Sequence, residues 1–326
     1  MRPTSRCVSA LLISCAVLAD GCDQRSSTVT LDWADVIEAE VDPAVVTDAG
    51  FRDAIKATGL PWRVRDKGTN IEMLLIPPGE FVMGKSRGDD EAREDELPAH
   101  EVKLTRAFYF GRYEVTQQQY ARVTKLAPSQ FSHPARPTVP TLEALMADGA
   151  TKSQAEKEVS EAKEKLESWG ATQQQPALDA KGKEWPVEKV SWKDCTAFCK
   201  MTGMRLPTEA EWEYACRAGT RTPRYGELDE VAWRGKGKTG AVGTKRANAL
   251  GLHDMLGNVW EWVDDWYREY SANQQTDPRG QSEGSSPVFR GGSWTGGSYN
   301  CRASGRVNVY PDYAYNNIGF RAARTP

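Results

Sequence analysis

The sequence predicts an α+β domain with little regular secondary structure and one helical insertion, and three observations point to it. Its 326 residues include 11 Trp, 11 Tyr and 28 Gly against 8 Phe, a mixture in which aromatic rings pin irregular backbone instead of long elements. Short apolar runs closed by Pro and Gly turns alternate with short capped helical patterns. One longer amphipathic stretch lies within residues 137–184, which lack the aromatic density found on either side.

Residues 1–21 read as an export signal: Arg2 and Arg6 open it, an apolar run extends from Cys7 to Ala19, and Gly21 precedes Cys22. The run is too short to span a bilayer. It resembles a bacterial lipoprotein signal, in which the cysteine, here Cys22, is lipidated and becomes the mature N-terminus. That resemblance implies an envelope protein anchored to a membrane through its N-terminal lipid, facing the periplasm or the cell surface. Ordinary signal cleavage with an incidental Cys22 is the alternative, and it too gives an exported protein.

Residues 22–62, with acids, Ala and Val but no repeat, read as a tether in which Val36–Val41 or Phe51–Thr58 suits a short helix. The main domain, 63–326, opens at Arg63. Glu72–Ile76 is a buried apolar run stopped by Pro77-Pro78-Gly79 and resumed at Phe81–Gly84. Asp89–Glu96 reads as an exposed acidic loop, and Val102–Tyr113 as a strand leading into a helix at Gln117–Val123. In the insertion, Thr151 and Gln154 form a capping box, Ala155, Val159, Ala162, Leu166 and Trp169 make one narrow stripe, and Gly170 is a natural stop. Farther on, Thr208 caps a short helix with Glu211 three residues later and Trp212 turned inward.

Net charge of −3 and the lack of a basic cluster exclude nucleic acid as a partner. No serine sits in a nucleophile elbow and no glycine-rich phosphate loop precedes a helix. His100, His133 and His253 are scattered without ligand spacing. Beyond the signal, Cys195, Cys199, Cys216 and Cys301 allow three complete pairings in an oxidising compartment. Cys195 and Cys199 stand one helical turn apart, a poor disulfide geometry, so a Cys216–Cys301 bridge is favoured, with four buried apolar thiols as the alternative.

Several blocks together carry a specific resemblance: Trp185-Pro186-Val187-Glu188, Arg205-Leu206-Pro207-Thr208-Glu209, Gly257-Asn258-Val259-Trp260-Glu261-Trp262, Arg290-Gly291-Gly292-Ser293-Trp294 and Asn317-Ile318-Gly319-Phe320-Arg321. They resemble the formylglycine-generating enzyme family, also called sulfatase-modifying factors, over about residues 70–326. The resemblance implies the compact formylglycine-generating-enzyme fold, related to C-type lectin-like modules. It also implies a calcium loop, with the side chains of Asp254 and Glu261 and the carbonyls of Gly257 and Val259 as ligands. The family's oxidases hold copper(I) with two neighbouring cysteines, whereas this C-terminal block offers Cys301 alone.

Trp260, Ser293, Arg306 and Asn317 stand at positions of the family's substrate cleft. Around them, Trp294, Tyr299, Asn300, Asn308, Tyr310, Tyr313, Tyr315 and Asn316 supply the Tyr and Asn chemistry of an antibody paratope. The expected function is therefore a module that binds a peptide or protein, or serves as an accessory, with calcium and without copper. The alternative is an oxidoreductase that converts a sulfatase cysteine to formylglycine, or another oxygen-dependent oxidation, with Cys301 as its catalytic residue.

Overall fold

The computed structural model describes residues 30–131, 151–172, 184–280 and 283–326. The expected export signal, Cys22, His133 and both ends of the insertion lie outside the described residues. In chain order the elements are β1 (Ala34–Glu38), α1 (Ala49–Ala57), β2 (Arg63–Asp66), β3 (Glu72–Ile76), β4 (Gly79–Met83), β5 (His100–Leu104), β6 (Phe108–Gly111) and α2 (Gln117–Thr124). There follow α3 (Lys152–Thr172), α4 (Trp192–Thr202), α5 (Glu209–Arg217), α6 (Leu228–Val231), β7 (Ala232–Trp233), β8 (Leu256–Gly257) and β9 (Trp260–Trp266). The last are β10 (Gln275–Thr276), β11 (Pro287–Arg290), β12 (Arg306–Asn308), β13 (Ile318–Phe320) and β14 (Ala323–Arg324).

The strands form small sheets, ordered β1-β2-β3-β6-β14, β10-β5-β4, β12-β11-β9-β13 and β7-β8. This is the α+β class with short elements that the composition predicts. Helix ends follow local chemistry. Thr208 and Glu211 cap α5 reciprocally, Ser191 and Asp194 do the same for α4, and Gly203 closes α4 in the left-handed region. The Thr151–Gln154 box opens α3, which runs through Gly170 to Thr172.

Four expectations are corrected. Residues 30–62 are not a tether: β1 pairs antiparallel with β2, and Val46, Ile55 and Trp62 are buried in the common core. Their apolar side chains are spaced irregularly and find partners only across the fold. Val102–Tyr113 is two strands in different sheets, parted at Thr105–Ala107. In the acidic stretch Asp89–Glu96, Asp89 and Glu96 are buried, because their carboxylates neutralise the buried Arg302 at 2.8 and 2.5 Å. Finally, Cys216 and Cys301 form no bridge; all four cysteines in the described residues are free and buried, with the Cys216 thiol directed at the Met255 carbonyl.

Candidate functional site

The site is built where β11 and β13 leave their sheet. After Arg290 the chain turns through Gly291 and Gly292, with φ of +96° and +80°. A Cβ on Gly292 would lie 2.8 Å from the Cys301 sulfur, so both the left-handed backbone and the close approach require glycine. On the other side, β13 runs parallel to β9 with Ile318 opposite Trp260. The pairing sets Asn317 against Ser293 and Thr295: its Nδ2 donates to Ser293 Oγ at 3.3 Å and to Thr295 Oγ1 at 3.0 Å.

Trp294 forms the adjoining wall. Its Nε1 donates to the Asn316 carbonyl at 3.0 Å, and its ring meets Phe131 edge-on at 5.2 Å. Phe131 N donates to Glu188 Oε1 at 2.8 Å, and Asn316 Nδ2 donates to Gln130 Oε1 at 3.3 Å. Burial pushes the Glu188 carboxyl up to about 7, offset in part by hydrogen bonds from the Phe131 and Gln130 backbone. Asn316 Oδ1, Asn317 Oδ1 and Glu188 Oε2 are buried without a hydrogen-bond partner.

Beside this wall, the loop between β12 and β13 displays tyrosines. Tyr310 and Tyr315 are 57% and 54% exposed, and the Tyr313 ring lies 5.4 and 6.1 Å from theirs. Tyr299, 50% exposed, stands on the short helical turn Ser298–Asn300. The expected groove residues therefore divide. Ser293, Trp294 and Asn317 come together, and Trp260 packs beneath them against Phe289 with little exposure. Arg306 is a correction: it is fully buried, bound to both oxygens of Glu209 at 2.8 Å and stacked on Tyr267 and Tyr270. Gln130, Phe131 and Glu188 were not expected here; the acid within Trp185-Pro186-Val187-Glu188, set in an apolar motif, was the available signal.

Cys301 lies under the site, with its sulfur packed against the Gly292 turn. Burial pushes this thiol up to about 11, with Arg234 and Arg224 drawing it back in part, so it is protonated at neutral pH. A buried, protonated single thiol does not fit a copper(I) centre made of two thiolates.

The proposed calcium ligands also meet other partners. Glu261 accepts from Arg321 Nη2 at 2.7 Å, from Arg321 Nε at 3.1 Å on both oxygens, and from Trp212 Nε1 at 2.7 Å. Those contacts engage both oxygens of the carboxylate. Asp254 Oδ2 accepts from Gly243 N at 2.5 Å. Glu114 lies in the same field, accepting from Asn258 Nδ2 and Val259 N, and burial together with Asp254 and Glu261 holds its carboxyl well above the usual range. The oxygen donors suit calcium in kind. As arranged they do not fit it, because a guanidinium already takes the Glu261 position.

Comparison with known proteins agrees with this architecture. The sulfatase-modifying factor enzyme 1-like domain profile matches residues 61–326. The formylglycine-generating enzyme of Streptomyces coelicolor is 32% identical over 279 residues, covering 77% of this chain and 88% of that protein. The inactive C-alpha-formylglycine-generating enzyme 2 of Bos taurus is 31% identical over 293 residues, covering 80% and 91%. Among solved structures, Treponema denticola variable protein 1 aligns with a TM-score of 0.57 at 26% identity, covering 78% of this chain and 95% of that one. PvdO from Pseudomonas aeruginosa aligns at 0.59 with 24% identity, covering 81% and 98%.

Proposed function

Because this chain belongs to the sulfatase-modifying factor family, we propose that it is an exported, lipid-anchored binding or accessory module whose Tyr- and Asn-lined face holds a peptide or protein. The observation that carries the reading is the tyrosine display beside Trp294, with Tyr299, Tyr310 and Tyr315 each at least half exposed. The exposed rings of Tyr310 and Tyr315 extend the contact at low conformational cost. Family membership alone does not select the activity, since relatives of near-equal identity are named a formylglycine-generating enzyme and an inactive one.

The oxidase reading keeps one observation in its favour, the Cys301 thiol packed against the Gly292 turn that leads into Ser293. A copper(I) titration of the purified protein against a competing chelator separates the two. The binding reading expects no one-to-one copper complex and no oxygen consumption with a cysteine-containing sulfatase-type peptide. Tight copper binding with peptide oxidation, both abolished in Cys301→Ser, overturns it. A photo-crosslinker at position 315 should give a discrete adduct in the cell envelope that one at position 67, in the exposed turn between β2 and β3, does not. Replacing Cys22 with Ala should move the protein from the membrane to the soluble fraction.

A further inference from the structure

A second concavity, unrelated to the motifs, opens beside β4. Its volume is about 740 Å³, within the range of ligand sites. One wall is α1, which lies upstream of the matched stretch 61–326; the other is the C-terminal end of α5 with the turn after it. The floor is aromatic: Phe81 and Tyr214 pack with centroids 5.5 Å apart, and Phe51 faces them from α1.

Two independent features describe what this groove would accept. First, β4 is the terminal strand of β10-β5-β4, and Gly79, Glu80, Phe81 and Val82 all line the cavity. Glu101 and Val102 of β5 line it as well, so the cavity reaches from the outer side of β4 onto the sheet. Among the described residues, the Gly79–Val82 backbone has β5 as its only hydrogen-bonding partner; α5 takes the edge one turn later, where Gly84 N donates to Glu213 and Gly84 O accepts from Arg217. Every other residue of the edge thus turns an unpaired N–H and C=O toward the groove. Second, the charges are unbalanced. Arg217 is neutralised by Glu213 at 2.7 Å and Glu80 by Lys103 at 2.9 Å, while Asp48 caps Phe51 N and keeps its charge. That leaves Lys85, Arg87 and Arg221, which make no ion pair among the described residues, facing the carboxylates of Asp48 and Glu101, an excess of one positive charge.

We propose that this groove binds an extended acidic peptide segment, which adds as a strand to the free edge of β4. Its backbone pairs with Gly79–Val82, an apolar side chain rests on Phe51, Phe81 and Tyr214, and its carboxylates meet Lys85, Arg87 and Arg221. Strand addition supplies affinity through main-chain hydrogen bonds, and the basic rim selects the sign of the charge. The site is separate from the tyrosine face and stands whether or not that face binds anything.

The test is fluorescence anisotropy on the full chain with three labelled hexapeptides: alternating Val and Glu, alternating Val and Lys, and the Val–Glu peptide N-methylated at every second residue. The Val–Glu peptide is expected to bind saturably, to weaken as salt rises, and to lose about tenfold or more in affinity to a Lys85→Glu/Arg87→Glu/Arg221→Glu variant of unchanged circular dichroism. The Val–Lys and N-methylated peptides are expected not to bind. No saturable binding of the Val–Glu peptide, or affinity indifferent to the charge reversals, overturns the proposal. Equal binding of the N-methylated peptide also overturns it, by showing an anion site without strand pairing.

Discussion

Replacing Arg321 with Met tests how the interior of this protein is held. The guanidinium is wholly buried. It reaches both oxygens of Glu261, at 2.7 to 3.1 Å, and the carbonyls of Gly111 at 2.9 Å and His253 at 2.8 Å, with Phe110 against its plane. Met fills much of the volume and restores none of the charge. Glu261 would then keep only Trp212 Nε1 as donor, in the same field as Glu114 and Asp254. Breaking one side of a buried ion pair costs about 3–5 kcal/mol, since the remaining charge is stranded. If that is the source of the loss, removing Glu261 as well should return part of it. Arg321→Met/Glu261→Leu is therefore expected to be about 1–3 kcal/mol more stable than the sum of the single losses. Urea denaturation of the four proteins closes the cycle. A single-variant loss below about 1 kcal/mol, or strict additivity, would refute the assignment of Glu261 as the internal counter-ion.

Two further outcomes follow from the same geometry. Because Glu261 is filled by Arg321 and Trp212, adding EDTA or millimolar calcium should leave the wild-type melting temperature unchanged; a calcium-dependent rise of several degrees would show that the carboxylate exchanges arginine for the ion. Glu188 has its folded pKa raised from 4.5 to about 7, so its favourable contribution is present in full below pH 4.5 and is lost as pH rises through 7. Wild type should lose up to about 3 kcal/mol across that window relative to Glu188→Gln, which carries no such titration. A pH-independent difference between the two would show that Glu188 is not buried as described.

What could be read from the chain alone was whatever depends on near neighbours. The capping pair Thr208 and Glu211, the Thr151 and Gln154 box and the strand halted by Pro77-Pro78-Gly79 each involve residues within a few positions, and each stands in the structure. The motifs around Ser293 and Asn317 were legible in the same way, as local runs with a familiar order. What they touch was not. Ser293 and Asn317 are 24 positions apart and meet only because β13 pairs in parallel with β9.

Charge was the least legible property. Arg306 was expected in the groove and binds Glu209, 97 positions away; Asp89 and Glu96 were expected in solvent and enclose Arg302, 213 and 206 positions away. Glu261 was expected on calcium and is held by Arg321, 60 positions on. A buried charge must find an opposite charge, and the choice of partner is made by chain crossings that leave no periodicity. Helix caps, turn-bounded strands and the family motifs were readable from the chain, through short-range sterics and hydrogen bonding. Only the tertiary structure decided which charged groups are core and which face a ligand, because desolvation is a property of the assembled fold.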